Sequence, residues 1–267
     1  MNPVHRFTVV ALLGMMLPLG VCSGDEAAER GRDILSANRD AVVTLQVVIN
    51  QKISFPGAAS QNRESKSESS GTVISPDGLT LMSLSETDPS SIVEAMMAGS
   101  GQNVQMETEV RDIKILLQDG TEVPAEVILR DKDLDMAFVR PVTKPATPLK
   151  CVDIENAGTP NVLDQVIALN RLGQVAGREY SASVERIETI VKRPRTLYIP
   201  GDDPTLTGLG SPVFTLDGKF VGVSLLRVVS GAGGGSVLGG QRDNVLAVIV
   251  PASDIAEGAA QAPPFAE

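Results

Sequence analysis

Histidine occurs once in these 267 residues, at position 5; tryptophan is absent and cysteine occurs twice. The scarcity of imidazole removes the usual general base of hydrolytic sites and the commonest metal ligand from everything after His5. One of the two cysteines, Cys22, lies at the end of an N-terminal apolar run, so Cys151 is left without an internal partner and no intramolecular disulfide is expected. Aromatic residues are only 3% of the chain, so a core must be built from Val, Ile, Leu and Ala, and the abundance of Val and Ile favours strands. Basic residues are outnumbered 23 to 33, giving a formal charge of −10. A surface of that sign repels phosphate backbones and anionic lipid, which argues against nucleic acid as a partner and otherwise reads as simple solubility. No metal or cofactor is expected.

What is present begins with residues 1–24, which read as an export signal: Arg6, an apolar run from Phe7 to Val21, then small Cys22, Ser23 and Gly24 before an acidic stretch. The run is shorter than the roughly 20 residues needed to cross a bilayer, and no other apolar run approaches that length, so no membrane span is expected. Cleavage would remove Arg6 and take the mature charge to −11. The stretch "LGVC" partly resembles a bacterial lipobox, which implies a lipid anchor on Cys22 as an alternative, although Val21 stands where a smaller residue is usual. The expected location is the bacterial periplasm or the cell exterior.

From residue 25 the chain is an ordinary globular sequence, 42% apolar and 21% charged. "DEAAERGRDILSANRDA" has helical spacing at Ala28, Ile34 and Leu35 and leads into "VVTLQVVIN", a strand. Residues 55–69 are polar with Gly and Pro and read as an exposed loop. "SGTVISPDGLTLMSL" is a hairpin around Pro-Asp-Gly, "SSIVEAMMAG" a short helix, and Ile113, Ile115, Leu117, Asp119-Gly120, Val123, Val127 and Leu129 make a second hairpin before the strand "MAFVR". A Pro-rich connector after Pro141 separates this set from six further strands between about 160 and 250. Ala252 onward reads as a helix capped by Ser253, and 259–267 as a tail. Two units of about six short strands, at 41–141 and 160–250, with no alternation of strand and helix, imply an all-β chain of two barrels or a sandwich.

The stretch "TLTGLGSPVFTLDGKFVGV" at 205–223 carries a serine, Ser211, in a glycine-rich turn, as some hydrolases present a nucleophile. Together with "SSGTVISPDGLTLMSLSETDP", "VILRDKDLDMAFVRP" and "QVIALNRLG", it resembles, in order and spacing, four motifs of the trypsin-like serine proteases, specifically the HtrA (DegP-like) branch. The resemblance covers about 41–256. It implies the chymotrypsin/trypsin-like fold: two six-stranded antiparallel barrels with short N- and C-terminal helices and a site between the barrels. Counting from Gly78, the family's histidine falls on Ser85, and its aspartate falls on Asp135. Counting back from Pro212, its nucleophile falls on Leu209, within an oxyanion loop of Thr207, Gly208, Leu209 and Gly210. Ser211 takes the second glycine after the nucleophile, two residues too late.

Ser-His-Asp chemistry needs an imidazole to take the serine proton, and none exists after His5. The resemblance therefore implies a degenerate triad at Ser85, Asp135 and Leu209 and a malformed oxyanion loop, with the Ser85 hydroxyl donating to a buried Asp135. The expected function is an exported, inactive protease homologue that acts as a binding or regulatory module with a protein or peptide partner. An active HtrA-type endopeptidase with an unconventional site, or a structural envelope protein, are the alternatives, and the oligomeric state is left open. Only about 10 residues follow the last expected helix, so the PDZ domain common in such proteases is not expected. Asp202 with Asp203, Met96 with Met97, and the glycine run 230–240 read as a solvated loop, core or groove lining, and a flexible loop.

Overall fold

The computed structural model describes residues 23–54, 60–97, 105–201, 208–228 and 245–265. The leader to Cys22, His5, Asp202, Asp203, Thr207 and the glycine run 230–240 lie outside the described residues, as do the side chains of Met96 and Met97. The expected all-β, two-barrel architecture is what the chain adopts. A helix α1 (Ser23–Asn38) precedes β1 (Val42–Ser54), β2 (Gln61–Val73) and β3 (Thr80–Ser83). Helix α2 (Ser90–Met97), β4 (Gln105–Leu116), β5 (Glu122–Asp131) and β6 (Met136–Pro141) complete the first unit. The second holds β7 (Gln165–Arg171), β8 (Tyr180–Val191), β9 (Leu197–Pro200), β10 (Pro212–Thr215), β11 (Phe220–Val228) and β12 (Val245–Pro251), followed by helix α3 (Ala252–Ala259). Each set of six closes on itself, in the orders β1-β2-β3-β6-β5-β4 and β10-β11-β12-β9-β8-β7, with antiparallel neighbours.

The alternation of side chains along each strand divides most of the core among three clusters. Val43, Leu45, Val47, Ala137 and Val139 fill the first barrel, and Val166, Ala168, Val213, Val221 and Ile249 fill the second. The residues between them in sequence, Val42, Leu81, Phe138, Ile167, Leu169, Phe214 and Val250, turn outward and join with Ile34 of α1 and Ile255 of α3 in a third cluster that draws on both barrels. Strands such as "QVIAL" and "MAFV" are thus buried on both faces, which is why they read as unbroken apolar runs.

Two local expectations are corrected. Residues 61–69, read as loop from their polarity, are strand: β2 pairs with β1 from Ile53↔Gln61 to Val42↔Thr72. This half of β2 borders the sheet, where charged residues such as Arg63, Glu64 and Lys66 are exposed, and edge strands need no apolar alternation. Ser253 does not cap α3, because the helix already begins at Ala252 and Pro251 occupies the cap position without a side-chain bond.

Polar ties also cross between the barrels. Ser70 Oγ donates to Asn170 Oδ1 at 2.5 Å and Thr72 Oγ1 to the Gly210 carbonyl at 2.7 Å. Arg178 holds Glu68 through Nη2 at 2.6 Å and Nε at 3.1 Å. The buried Arg171 of β7 donates to the carbonyls of Leu116 at 2.7 Å and Leu117 at 3.2 Å in the first barrel, and its guanidinium lies 5.4 Å from the Tyr180 ring centre. Replacing this arginine with an apolar side chain of similar length leaves those carbonyls without their donor. Arg171→Met is expected to lower unfolding free energy by about 2–4 kcal/mol, read by urea titration, whereas a change below about 0.5 kcal/mol would show that the tie contributes nothing.

Candidate active site

The turn "DKDLD" delivers Asp135 to the start of β6 in a left-handed conformation, φ 56°, which aspartate tolerates better than most residues. Its carbonyl accepts the Leu84 amide at 2.8 Å. Its carboxylate is buried and accepts four hydrogen bonds: from Ser83 Oγ and the Leu226 amide (3.1 Å) on Oδ2, and from the Ser85 amide (2.9 Å) and Ser85 Oγ (2.6 Å) on Oδ1. Ser83 and Ser85 flank the end of β3 and Leu226 belongs to β11, so this one group gathers segments of both barrels. Among the described residues no ion pair reaches Asp135. Burial pushes its carboxyl upward, against the donors, each of which favours the ionised form.

Sequence reasoning reached Asp135 and Ser85 but missed Ser83, Leu226 and Glu86. Ser83 lies two residues before Ser85 and could have been suspected on that spacing; an amide of β11 carries no signal in its side chain. Glu86 is half-buried beside this centre, and its carboxyl is raised first by burial and then by the Asp135 charge.

On the other side of the site, Leu209 is 3% exposed and packs with Leu226 and Ala247, flanked by Ile92 of α2 and Val245. Leu226 therefore links the two halves: its amide faces Asp135 and its side chain faces Leu209. Gly210, φ 81°, must be glycine, since a Cβ there would stand 2.1 Å from the Ser70 carbonyl oxygen. Its amide is bound to the Ser224 carbonyl at 2.8 Å, and the Ser211 amide turns back to Gly208 at 3.2 Å. Ser211 is 1% exposed, and its hydroxyl is enclosed without a hydrogen-bond partner among the described residues.

This arrangement, a buried aspartate at the junction of two barrels and a glycine turn entering β10, is the framework of a trypsin-like peptidase. A family model described as a trypsin-like peptidase domain matches residues 69–223, more than half of the chain, and the chain belongs to that family. A search of curated proteins gives no match. Among solved structures, the chain is similar to the HtrA-type protease AlgW in complex with a tripeptide, at 14% identity and a TM-score of 0.54, over 85% of this chain and 61% of that one. It is likewise similar to AlgW with a decapeptide, at 15% and 0.55, over 85% and 64%. The MamO protease domain from Magnetospirillum magneticum matches at 14% and 0.51, over 83% of this chain and 96% of that one. The chain thus spans about three fifths of the length of the AlgW chains it resembles.

Because Glu86 binds its proton more readily in the folded than in the unfolded chain, its contribution to stability is largest below the ordinary glutamate range and is lost as pH rises through the raised value. Glu86→Gln is expected to flatten that fall and to stabilise the protein at neutral pH relative to pH 4, measured by thermal melts across the range. An unchanged pH profile would show that Glu86 is not held in this environment.

Proposed function

We propose that this chain is a catalytically inactive member of the trypsin-like peptidase family, exported from the cell, where it binds a protein or peptide as a regulatory or adaptor module. One observation carries the reading: Leu209, which takes the nucleophile's place in the motif "TGLGSP", is buried in an apolar cluster against the strand that bonds Asp135. The aspartate is present, while a serine, Ser85, holds the place of the base and spends its hydroxyl on the carboxylate. The lone histidine lies at position 5, ahead of the whole fold. Without an imidazole to take a proton, and without a hydroxyl at the turn, acyl transfer of the family's type has neither base nor nucleophile.

Export is supported by the apolar run from Phe7 to Val21 with its small following residues. Binding is supported by the physics of extended peptides, which add to a strand through main-chain bonds and need no triad. AlgW, whose fold this chain shares, was solved with a tripeptide and with a decapeptide, and the same ligand class is the natural candidate here.

The test is hydrolysis of casein and of a peptide library by the wild type, with fluorophosphonate labelling of any activated serine. Neither is expected. Activity that disappears in Ser211→Ala would overturn the reading. Restoring the residue types with Ser85→His and Leu209→Ser is expected to leave the protein inactive and to destabilise it. Leu209→Ser alone places a hydroxyl and a void in an apolar cluster, at about 2–4 kcal/mol. Productive geometry must also be held to about 0.5 Å by the surrounding shell. Robust hydrolysis by the double variant, read against matched folding in circular dichroism, would show that the scaffold still holds that geometry.

A further inference from the structure

The outer face of β6 carries a stripe of alternate residues, Met136, Phe138 and Arg140, and the C-terminal segment runs along it. Ile255 of α3 packs in the same cluster as Met136 and Phe138. Gly258 approaches so closely that a Cβ would stand 2.7 Å from Phe138 Cζ and 3.1 Å from Met136 Cε. Beyond the helix, Ala262 packs against the cluster. The chain then reaches Arg140, which is only 7% exposed although it is a cation on the outside of a barrel. Its Nη1 donates to the Pro263 carbonyl, and its guanidinium carbon lies 4.8 Å from the centre of the Phe265 ring. Asp77 Oδ2 is 3.9 Å from Nε, an ion-pair distance without a hydrogen bond, and Nε is enclosed without another partner among the described residues.

A buried guanidinium needs its donors met and its charge balanced. Here one acceptor and one aromatic face come from the tail, whose two prolines favour an extended backbone with little conformational entropy to lose. We propose that the surface formed by Arg140 of β6 and Asp77 of the β2–β3 connection is a recognition site for an extended Pro-Pro-aromatic segment, filled in cis by Ala262–Phe265 of this chain. An outside segment of the same chemistry takes the seat by displacing the tail. Its consequence is local to the centre described above, because Met136, which α3 covers, directly follows Asp135.

The chain contains no tryptophan, so Phe265→Trp in the full chain introduces a single indole that reports on the seat. Seated on Arg140, the indole is expected to be shielded from acrylamide. Arg140→Met keeps the bulk of the side chain and removes its charge and donors; the unseated fraction is then expected to rise about tenfold, equivalent to about 1.4 kcal/mol. The free peptide acetyl-Gln-Ala-Pro-Pro-Phe-amide, added to the Phe265→Trp chain, is expected to release the indole in the millimolar range, because it competes with a tethered segment. The same peptide with Ala for Phe is expected to leave it shielded. The peptide arm needs no change at Arg140 and decides the matter if Arg140→Met does not fold. An indole as accessible as in free peptide, or one that the Phe peptide does not release, overturns the proposal. Shielding that depends on protein concentration would assign the seat to a second copy's tail and overturn the cis assignment.

Discussion

A single buried carboxylate, which no cation reaches among the described residues, governs this site. Moving an ionised group out of water costs several kcal/mol unless its oxygens are met by fixed donors, and Asp135 meets this demand with two serine hydroxyls and two backbone amides. Those donors come from the end of β3 and from β11, so keeping the carboxylate buried requires the two barrels to hold their mutual position. The constraint is directional: the Ser85 hydroxyl lies against Oδ1 at 2.6 Å and donates its proton there.

The other half of the site obeys the opposite rule. Leu209, Leu226 and Ala247 form an apolar cluster beside the glycine turn that enters β10. Leu226 serves both halves, amide to the polar side and side chain to the apolar side, so neither half can be altered without disturbing the other. Gly210 survives in this turn for a reason of space, because the Ser70 carbonyl occupies the volume of any side chain.

Much of the fold was legible along the chain because it rests on local periodicity. Alternating Ile113, Ile115 and Leu117, the Asp119-Gly120 turn and the apolar runs of β6 and β7 announce strands whatever surrounds them. The polar half of β2 was not legible, since an edge strand in register with β1 is held by main-chain bonds that leave no mark on side-chain polarity. Ser253 failed as a cap for a related reason: any of several positions near Pro251 can open the helix, and the choice follows from where β12 ends.

The sequence by itself determined that no imidazole is available beyond residue 5 and that the chain is built of short strands in two sets. These follow from residue identity and short-range pattern, which need no coordinates. Tertiary structure alone decided that Ser83 and the Leu226 amide complete the Asp135 shell, that the Ser211 hydroxyl is enclosed without a partner among the described residues, and that Arg140 is covered by Pro263 and Phe265. The hydrogen-bond partners of Asp135 and Arg140 lie as far as 91 and 123 residues away along the chain. Contacts of that range are set by how two closed barrels and a returning helix pack, and local propensity carries no information about them.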